Sequence, residues 1–364
     1  MAPWRSVGGS RWSGTRPSVI PLTYVVIGCG SIGKRHLQNL LALGAGALVA
    51  FDVRADRREE VRARFPQIEV VDELDQAWAH RPDVAVVAVP TRWHVPLALQ
   101  AAEAGCHLFI EKPLSDRLDE ELDRLLERVT ARRLVTLVGC NLSFQPGLIT
   151  VKRLLQEGAV GRVVAARAEA GQYLPDWHPA EDYRSGYSAR RELGGGVILD
   201  AIHELDYLCR FFGDVDAVAC MAGQLSHLDI DTEDTAAILV RFASGTIGEI
   251  HLDYVQRAYS RGCRIIGDQG TITWDYVTGQ TRWYAAATRR WETYANPPDW
   301  EPNRMYVEEM RHLARCVTEG ERPLVDVMEG ARVLGVALAA KASMATRQMV
   351  DLREFRPGAR THAG

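Results

Sequence analysis

The chain has 364 residues, 47% of them apolar, which is more than one hydrophobic core usually holds and predicts two domains. Its 43 basic and 47 acidic side chains give a net charge of −4, so there is no basic field that would attract a nucleic acid. No apolar run approaches the ~20 residues that cross a bilayer, and seven cysteines without a C-x-x-C pair argue against a disulfide framework or a thiolate metal site.

These exclusions predict a cytoplasmic protein with no membrane partner and no resident metal. Residues 1–20 contain Arg, Ser, Gly and Trp but no acid, a composition shared by organellar transit peptides. Nothing in them repeats at the period of a helix or a strand, however. The segment is therefore expected to be a disordered N-terminal extension or the product of an over-extended gene start.

The first element is a strand over residues 22–27 (LTYVVI) that stops at a glycine-rich turn, and residues 34–43 beyond it are compatible with a helix. Gly28 lets the chain turn, Gly30 leaves room for a pyrophosphate, and Gly33 lets helix and strand pack closely. Ser31 and Ile32 lie at the amino end of the helix, which faces the anion. This pattern predicts a dinucleotide-binding loop.

A second strand over residues 47–51 ends in Asp52, where an acid would bond the ribose 2′-hydroxyl. Alternatively, Asp52 is an ordinary strand-end acid, and the nearby Arg54, Arg57 and Arg58 accommodate a 2′-phosphate. The acid favours NAD as the cofactor, with NADP as the alternative.

A third strand, residues 83–89 (DVAVVAV), is nearly uninterrupted and β-branched, as in the buried middle of a parallel sheet. Ligands of such sheets bind at the carboxyl ends of the strands, so Thr91 and His94 are expected to border the nicotinamide. Alternatively, His94 is a helix-start residue packed against its neighbours. A helix over residues 95–104 then leads to a strand over 106–110, which ends at Glu111, Lys112 and Pro113.

An amphipathic helix over residues 118–129 and a strand over 134–140 complete a Rossmann dinucleotide-binding domain at residues 21–141. Beyond Asn141 the sequence changes to long polar/apolar alternation, which is typical of antiparallel strands. The elements predicted there are helices at 146–157, 305–319 and 328–349, strands at 162–172, 235–242 and 246–254, and a hairpin of 264–266 with 271–274. The fold class is therefore α/β, with the Rossmann domain followed by an α+β domain over 142–364 that has an open, mainly antiparallel sheet.

Three glycines, residues 194–196, precede a segment whose apolar positions from 197 to 212 fall on one helical face. Another face carries titratable groups: Asp200, His203, Tyr207 and Arg210. A helix that faces a cleft would present such a stripe. A solvated face with one helical ion pair has the same pattern.

Residues 172–191 (QYLPDWHPAEDYRSGYSARR) form an aromatic and arginine-rich loop just ahead of this helix. The candidates to stack on a sugar face are Trp177, Tyr183 and Tyr187. The candidates to bind a carboxylate or phosphate are Arg184, Arg190 and Arg191. A well-anchored surface loop is the alternative.

The motifs G-x-G-x-x-G at 28–33, E-K-P at 111–113 and G-G-G-V-I-L-D-x-x-H-x-x-D at 194–206 resemble, in their order and spacing, the Gfo/Idh/MocA family. The family is named for glucose–fructose oxidoreductase, inositol dehydrogenase and a rhizopine catabolism protein, and the resemblance covers roughly residues 22–350. It implies a Rossmann domain and an open-sheet domain that often packs against another subunit, and thus a homodimer or homotetramer. The aromatic loop resembles members from bacterial surface-sugar pathways, which favours a sugar, sugar acid or nucleotide sugar over a cyclitol.

The resemblance also implies roles for particular residues. The lysine of E-K-P is catalytic in the family and the Lys-Pro bond is commonly cis, so Lys112 is expected to act beside the cofactor, with Glu111 next to it and a cis bond to Pro113. The helix histidine is the family's acid/base, and here it is His203.

Two positions depart from the family pattern. Asp200 lies three residues before the histidine, where members such as inositol dehydrogenases have four, but both spacings stay on one helix face and an Asp200–His203 contact is still possible. Asn141, a candidate substrate contact, is followed by residues 142–144 (LSF) where R-x-F is common.

Together these features predict an NAD(P)-dependent oxidoreductase that transfers hydride between nicotinamide and a secondary alcohol of a carbohydrate, with Lys112 and His203 at the reacting oxygen. One alternative is the family's NAD-dependent glycosidase branch, and another is a cofactor-binding ligand sensor that does not catalyse. A metal enzyme that uses Asp200, His203, His227 and His251 is the weakest option, because no pair has the helical two-histidine spacing of a zinc site.

Overall fold

A computed structural model describes residues 20–177 and 182–355. The predicted extension over residues 1–20 lies outside the described residues, apart from Ile20, where the first strand begins. Within the described ranges, no helix combines the length and the apolar character needed to cross a membrane.

The first sheet contains six parallel strands in the order β3-β2-β1-β4-β5-β6, which is the doubly wound order of dinucleotide-binding domains. The strands are β1 (Ile20–Ile27), β2 (Ala45–Phe51), β3 (Glu69–Val70), β4 (Val84–Val87), β5 (His107–Ile110) and β6 (Thr136–Val138). The helices that connect them are α1 (Ser31–Ala42), α2 (Ala55–Arg64), α3 (Leu74–Ala79), α4 (His94–Ala104) and α5 (Glu120–Arg132). Every residue of β4 is buried, because helices cover both faces of the sheet. The sheet confirms the predicted Rossmann fold.

The second sheet is mainly antiparallel and runs in the order β14-β13-β12-β11-β7-β10-β9-β8-β15. Its strands are β7 (Val163–Gly171), β8 (Val215–Gly223), β9 (Thr235–Phe242), β10 (Ile247–Asp253), β11 (Ser260–Gly267), β12 (Gly270–Asp275), β13 (Gln280–Ala285), β14 (Arg290–Ala295) and β15 (Val350–Asp351). The α-helices of this half are α6 (Pro146–Gln156), α7 (Val197–Asp200), α8 (His203–Phe212), α9 (Asn303–Glu319) and α10 (Val327–Thr346). Side chains along β9 alternate between buried and exposed, so one face of the sheet packs on the core and the other is open.

Two local predictions differ from the structure. β7 and β10, both predicted as antiparallel strands, each pair antiparallel with one neighbour, β11 and β9 respectively, but pair in parallel with each other. The helix predicted from residue 197 to 212 is interrupted at Ala201 and Ile202, so α7 and α8 are separate.

Helix α9 returns the chain to the first domain. Asn303 at its start exchanges side-chain hydrogen bonds with Asn39 of α1, at 2.9 and 3.4 Å. Met310, Leu313 and Ala314 are buried in the same hydrophobic cluster as side chains of α1 and β1. A helix from the second half of the chain therefore fixes the two halves against each other beside the first strand.

Candidate active site

The glycine-rich turn between β1 and α1 has the shape that a dinucleotide needs. Gly28 has a φ of +96°, and a Cβ there would lie 2.4 Å from the carbonyl oxygen of Ala88. A Cβ on Gly33 would lie 1.8 Å from the carbonyl oxygen of Gly28, so no side chain fits. A Cβ on Gly30 would meet only the Arg57 guanidinium, at 3.7 Å, which leaves space above this residue for a diphosphate.

Helix α1 begins at Ser31 and presents its amino end to that space. Gly30 at the N-cap supplies no side-chain hydrogen bond, and the first turn contains no acid. The amide groups of this turn, which includes Ile32, are therefore available to an anion and supported by the helix dipole. These residues fit the diphosphate of NAD.

Asp52 closes the cofactor end of the site and is buried. Its Oδ2 accepts a hydrogen bond from the Cys29 amide at 2.7 Å, and its Oδ1 accepts one from the Arg54 amide at 2.8 Å. The Arg57 guanidinium lies 3.5 Å from Asp52, whereas Arg58 donates to the Asp52 carbonyl oxygen at 2.8 Å. The carboxylate thus ties the end of β2 to the glycine loop, and Arg57 is the arginine that lies beside both.

Thr91 and His94 follow β4 at the carboxyl edge of the sheet, and both are buried. His94 Nδ1 lies 2.8 Å from the carbonyl oxygen of Pro113, and its Nε2 lies 2.9 Å from that of Val89. Both ring nitrogens are engaged by the backbone, so His94 corresponds to the alternative of a packed helix-start residue. Its ring links the end of β4 to the E-K-P turn, and no ring nitrogen is left for a cofactor.

The E-K-P turn follows β5, and the peptide bond between Lys112 and Pro113 is cis, as predicted. Glu111 Oε1 lies 2.6 Å from His36 Nε2, and Glu111 Oε2 accepts a hydrogen bond from the Lys112 amide at 3.2 Å. Burial would raise the pKa of Glu111, but the contact with His36 holds it below its ordinary value. Glu111 therefore braces the turn from the interior as a carboxylate.

Lys112 reaches across the cleft to α7. Its Nζ donates to the carbonyl oxygen of Asp200 at 2.7 Å and to Asp200 Oδ1 at 2.8 Å. The Lys112 side chain is 18% exposed and that of Asp200 only 1%. Burial alone would lower the pKa of Lys112, but the charge of Asp200 raises it above the ordinary value of 10.5, so the ammonium is retained at neutral pH.

Four side chains donate to the Asp200 carboxylate. Besides Lys112, Tyr187 donates its hydroxyl to Oδ1, Ser188 donates to Oδ2 at 2.6 Å, and Tyr254 donates to Oδ2 at 3.0 Å. Although burial opposes ionisation, the charge of Lys112 and these hydrogen bonds hold the pKa of Asp200 below its ordinary value. Asp200 binds Lys112, and none of its hydrogen bonds within the described residues goes to His203, so the Asp200–His203 contact that the spacing allowed does not form there.

His203 is the first residue of α8 and is 7% exposed. Its Nδ1 is buried, and neither ring nitrogen has a hydrogen-bond partner in the part of the chain that is described. Burial, followed by the positive charges of Lys112 and Arg261, holds the pKa of His203 well below 6.5. The ring is therefore neutral at physiological pH, and the effect of Lys112 on it places both groups in one electrostatic environment.

The residues of the predicted substrate loop have varied surroundings. Trp177 packs edge-on against Tyr254 at 5.4 Å between ring centroids, and the Tyr183 hydroxyl accepts a hydrogen bond from the Asp229 amide at 3.2 Å. Arg184 is exposed and forms a bidentate pair with Asp182, with contacts at 2.7 and 2.8 Å.

The hydroxyl of Tyr187 donates a hydrogen bond to Asp200, the carboxylate that pairs with Lys112. Asn141 is buried at the start of a short 3-10 helix over Asn141–Phe144.

No sequence motif singles out Ser188, Tyr254 or His36, although each contacts a residue of the predicted site. Ser188 donates to Asp200 from a short 3-10 helix over Tyr187–Ala189, and Tyr254 donates to it from the position after β10. His36 bonds Glu111 from α1. Their only signal in the sequence is a polar group within or next to a buried element. The fold is needed to show what they contact.

The residues considered for a metal site do not converge. Asp200 binds Lys112, His227 contacts the Tyr173 hydroxyl at 3.2 Å, and His251 contacts Asp253 at 3.1 Å. Within residues 20–177 and 182–355, no group of three His, Cys, Asp or Glu side chains is arranged to hold a metal ion.

Two family models match most of the chain. One is described as an oxidoreductase family with an NAD-binding Rossmann fold and matches residues 22–140. The other is described as the GFO/IDH/MocA C-terminal domain and matches residues 148–273. The boundary between the matches coincides with the end of the first sheet.

Named relatives align over most of the chain. The myo-inositol 2-dehydrogenase of Thermotoga maritima is 29% identical over 352 residues, covering 90% of this chain and 98% of that protein. The levoglucosan dehydrogenase of Pseudarthrobacter phenanthrenivorans is 28% identical, covering 69% of this chain and 73% of that protein.

Among solved structures, levoglucosan dehydrogenase in complex with NADH and L-sorbose has a TM-score of 0.82 at 22% identity, covering 91% of this chain and 98% of that one. GenD2 from gentamicin A biosynthesis, in complex with NAD, has a TM-score of 0.80 at 24% identity, covering 94% and 99%. These structural likenesses establish the shared fold.

Proposed function

This chain belongs to the GFO/IDH/MocA family of NAD-binding oxidoreductases, and on that premise we propose that it transfers hydride between NAD and a secondary alcohol of a sugar, sugar acid, nucleotide sugar or cyclitol. The observation that carries the proposal is the contact of the Lys112 ammonium with Asp200 Oδ1 at 2.8 Å. Asp200 lies only three residues before His203, whose ring is neutral. Relatives named for inositols and levoglucosan support the polyol class.

NAD, when bound, supplies the nicotinamide ring that accepts the hydride. The protein must hold the alcohol and receive its hydroxyl proton. Lys112 suits the first task, because a charged ammonium beside the alcohol oxygen stabilises the alkoxide that develops as the proton leaves. Asp200 keeps Lys112 charged and fixes its Nζ by two contacts, so the cation is positioned before substrate binds.

His203 suits the second task. A general base must be unprotonated, and burial with two nearby cations keeps the His203 ring neutral. Because its nitrogens have no hydrogen-bond partner among the described residues, the ring is free to accept a proton from a bound alcohol. In the reverse direction the protonated ring returns that proton to a ketone oxygen.

We propose that Asn141, Trp177 and Tyr183 line the substrate side of the cleft. Trp177 packs on Tyr254, and Tyr254 donates a hydrogen bond to Asp200. A sugar ring stacked on the indole would therefore be separated from Asp200 by the side chain of Tyr254. Tyr187 acts through Asp200, and Arg184 is already neutralised by Asp182.

A homo-oligomer is the assembly that we propose. Met221, Leu239 and Trp291 are 84%, 52% and 44% exposed on the open face of the second sheet. A sheet face with several large exposed apolar side chains is typical of an interface, and a second copy would cover it. Light scattering during size-exclusion chromatography should give the mass of a dimer or tetramer, and a monomer would contradict this part of the proposal.

The activity is tested by incubating the purified protein with NAD and a panel of sugars, uronic acids, inositols and nucleotide sugars, and by following NADH absorbance. At least one polyol should produce NADH in proportion to enzyme concentration. NAD binding without NADH from any member would instead support a ligand sensor. Release of an aglycone from a glycoside with no net NADH would support the glycosidase alternative.

A further inference from the structure

Helix α9 carries a carboxyl group that no hydrogen bond satisfies. Glu309 is 1% exposed, and both of its carboxyl oxygens are buried without a partner within residues 20–177 and 182–355. The neighbouring buried acids are paired, because Glu111 contacts His36 and Asp206 contacts Arg210. Buried polar groups without partners are rare, so Glu309 requires a physical reason.

The position of Glu309 on α9 places it beneath the candidate active site. One turn before it, Tyr306 packs edge-on against His36 at 6.3 Å between ring centroids, and His36 binds Glu111. One turn after it, His312 packs against Phe144 at 5.6 Å. Glu309 therefore lies between the E-K-P turn and the short helix that starts at Asn141.

The polar groups next to Glu309 are Glu111, Cys140 and Asp206, and we name these three residues together with Glu309 the junction crevice. A Cβ on Gly139 would lie 3.0 Å from Glu111 Oε2, so the Glu111 carboxylate packs directly over the chain that leads into Cys140. After burial, the negative charge of Asp206 on α8 is the main cause that raises the pKa of the Cys140 thiol, so these two groups are neighbours.

In the described part of the chain, several buried polar atoms of the junction crevice and of His36, which contacts Glu111, have no hydrogen-bond partner. They are both carboxyl oxygens of Glu309, Oδ1 of Asp206 and Nδ1 of His36. A buried water typically makes about three hydrogen bonds to polar groups of this kind. The crevice thus offers the donors and acceptors that an ordered water needs.

The charges around Glu309 determine its protonation state. Burial, followed by the negative charges of Glu111 and Asp206, raises the pKa of Glu309 well above its ordinary value of 4.5. The cation on this side is Arg210, which binds Asp206 at 3.1 Å, and burial keeps Cys140 a thiol. Glu309 is therefore a neutral acid with one O–H donor and one carbonyl acceptor.

We propose that Glu309 is a positioning residue, which as a neutral carboxylic acid hydrogen-bonds through water in the junction crevice to Glu111 on one side and Asp206 on the other. Glu111 precedes Lys112, and Asp206 lies one turn after His203 on α8. The bridge holds the two active-site residues, which come from different domains, at a fixed separation. This inference rests on the proposed function, because Lys112 and His203 are the groups that it positions.

The kinetic test compares two substitutions at residue 309 with the best substrate of the panel. Glu309→Gln keeps the neutral donor and acceptor and should retain turnover within about threefold, whereas Glu309→Met removes both and should lower kcat by about tenfold with little change in the KM for NAD. Glu308→Met is the matched control, because Glu308 is the adjacent acid, is partly exposed and pairs with Arg311; it should change kcat by less than about twofold. Equal turnover of the Met variant and wild type would overturn the proposal, as would a Gln variant that is as slow as Met.

An infrared measurement tests the neutral acid without any substrate. At neutral pH, the wild-type minus Glu309→Gln difference spectrum should contain the carbonyl stretch of a protonated carboxylic acid that shifts in heavy water. Its absence would overturn the proposal even if the Met variant fails to fold. If no polyol is oxidised but this band is present, the proposed function fails while the protonation state of Glu309 stands.

Discussion

Asp200 and Glu309 are two acids buried to the same depth, and their surroundings drive them to opposite protonation states. Asp200 receives hydrogen bonds from Lys112, Tyr187, Ser188 and Tyr254, and its pKa lies below the ordinary value. Glu309 receives none within the described residues and faces two carboxylates, so its pKa lies far above the ordinary value.

The difference shows that burial alone does not decide whether an acid is ionised. Desolvation raises the pKa of both groups, and the sign of the neighbouring charges together with the supply of donors decides the outcome. In this protein the ionised Asp200 holds the ammonium of Lys112. The neutral Glu309 lies where it can hydrogen-bond through water to Glu111 and to Asp206 on α8, as proposed above. The predictions for Asp200, Glu309 and Tyr187 below each change one side of this comparison, and Arg184→Ala changes neither side.

Among substitutions of the residues around Lys112, the largest effect is expected from Asp200→Asn. The substitution keeps the shape of the side chain but removes the negative charge that keeps Lys112 protonated in a buried position. We expect kcat to fall by about a hundredfold, with NAD affinity changed by less than about threefold. Turnover within about fivefold of wild type would show that the charge of Asp200 is not needed.

Stability should respond to pH differently for the two acids. Because the pKa of Glu309 is raised in the folded state, the unfolded chain releases a proton that the folded chain keeps once pH exceeds about 4.5. Wild type should therefore lose stability relative to Glu309→Gln as pH rises from about 5 to about 8, by at most about 1.4 kcal/mol per pH unit.

The pKa of Asp200 is lowered, so its stabilising contribution is complete above about 3.8 and is lost only as pH falls towards the folded value. The difference between wild type and Asp200→Asn should accordingly be constant over the range in which the Glu309→Gln difference grows. Denaturant midpoints at several pH values measure both differences. A flat Glu309→Gln difference would mean that Glu309 is ionised in the folded protein.

A smaller effect is expected from Tyr187→Phe. It removes one of four donors from Asp200, so Lys112 keeps its counter-ion while the carboxylate loses part of its fixed orientation. We expect kcat to fall by about threefold to tenfold. Tyr294→Phe is the matched control, because its hydroxyl contacts Glu292 at 3.0 Å and not Asp200. Equal kinetics of the two variants would show that the hydroxyl of Tyr187 does not support Asp200.

The smallest effect is expected from Arg184→Ala. Arg184 is exposed and paired with Asp182, and surface ion pairs of this kind contribute little. For a neutral sugar, kcat/KM should stay within about twofold of wild type. An increase in KM of more than about tenfold would show that Arg184 binds the substrate.

Much of the fold follows from local sequence. Three local patterns correctly predict an element: the glycine turn, the apolar run at 83–89 and the alternation at 235–242. In the two strands, the pattern of apolar residues matches the burial of the side chains in the fold. α2, β8 and the hairpin of β13 with β14 were not predicted. α2 buries only Val61 and β14 is almost wholly exposed, so neither has a clear apolar face to detect.

The site was only partly predictable. Lys112 and His203 were identified from motifs, and the ammonium of Lys112 does contact Asp200 of α7. The partners of Asp200 come from three separate segments, and the helix that was predicted to carry both Asp200 and His203 is interrupted between them. Contacts of this kind depend on how the two domains pack, to which α9 contributes from a distance of more than a hundred residues along the chain.

Lys112→Met tests the central claim most directly, with NAD affinity and turnover measured on the same preparations and Lys152→Met as a matched control. Lys112 lies beyond the glycine loop and contacts Asp200, so the variant should bind NAD with nearly unchanged affinity and form NADH about a hundredfold or more slowly. Full turnover of Lys112→Met on a substrate of the wild type would contradict the account.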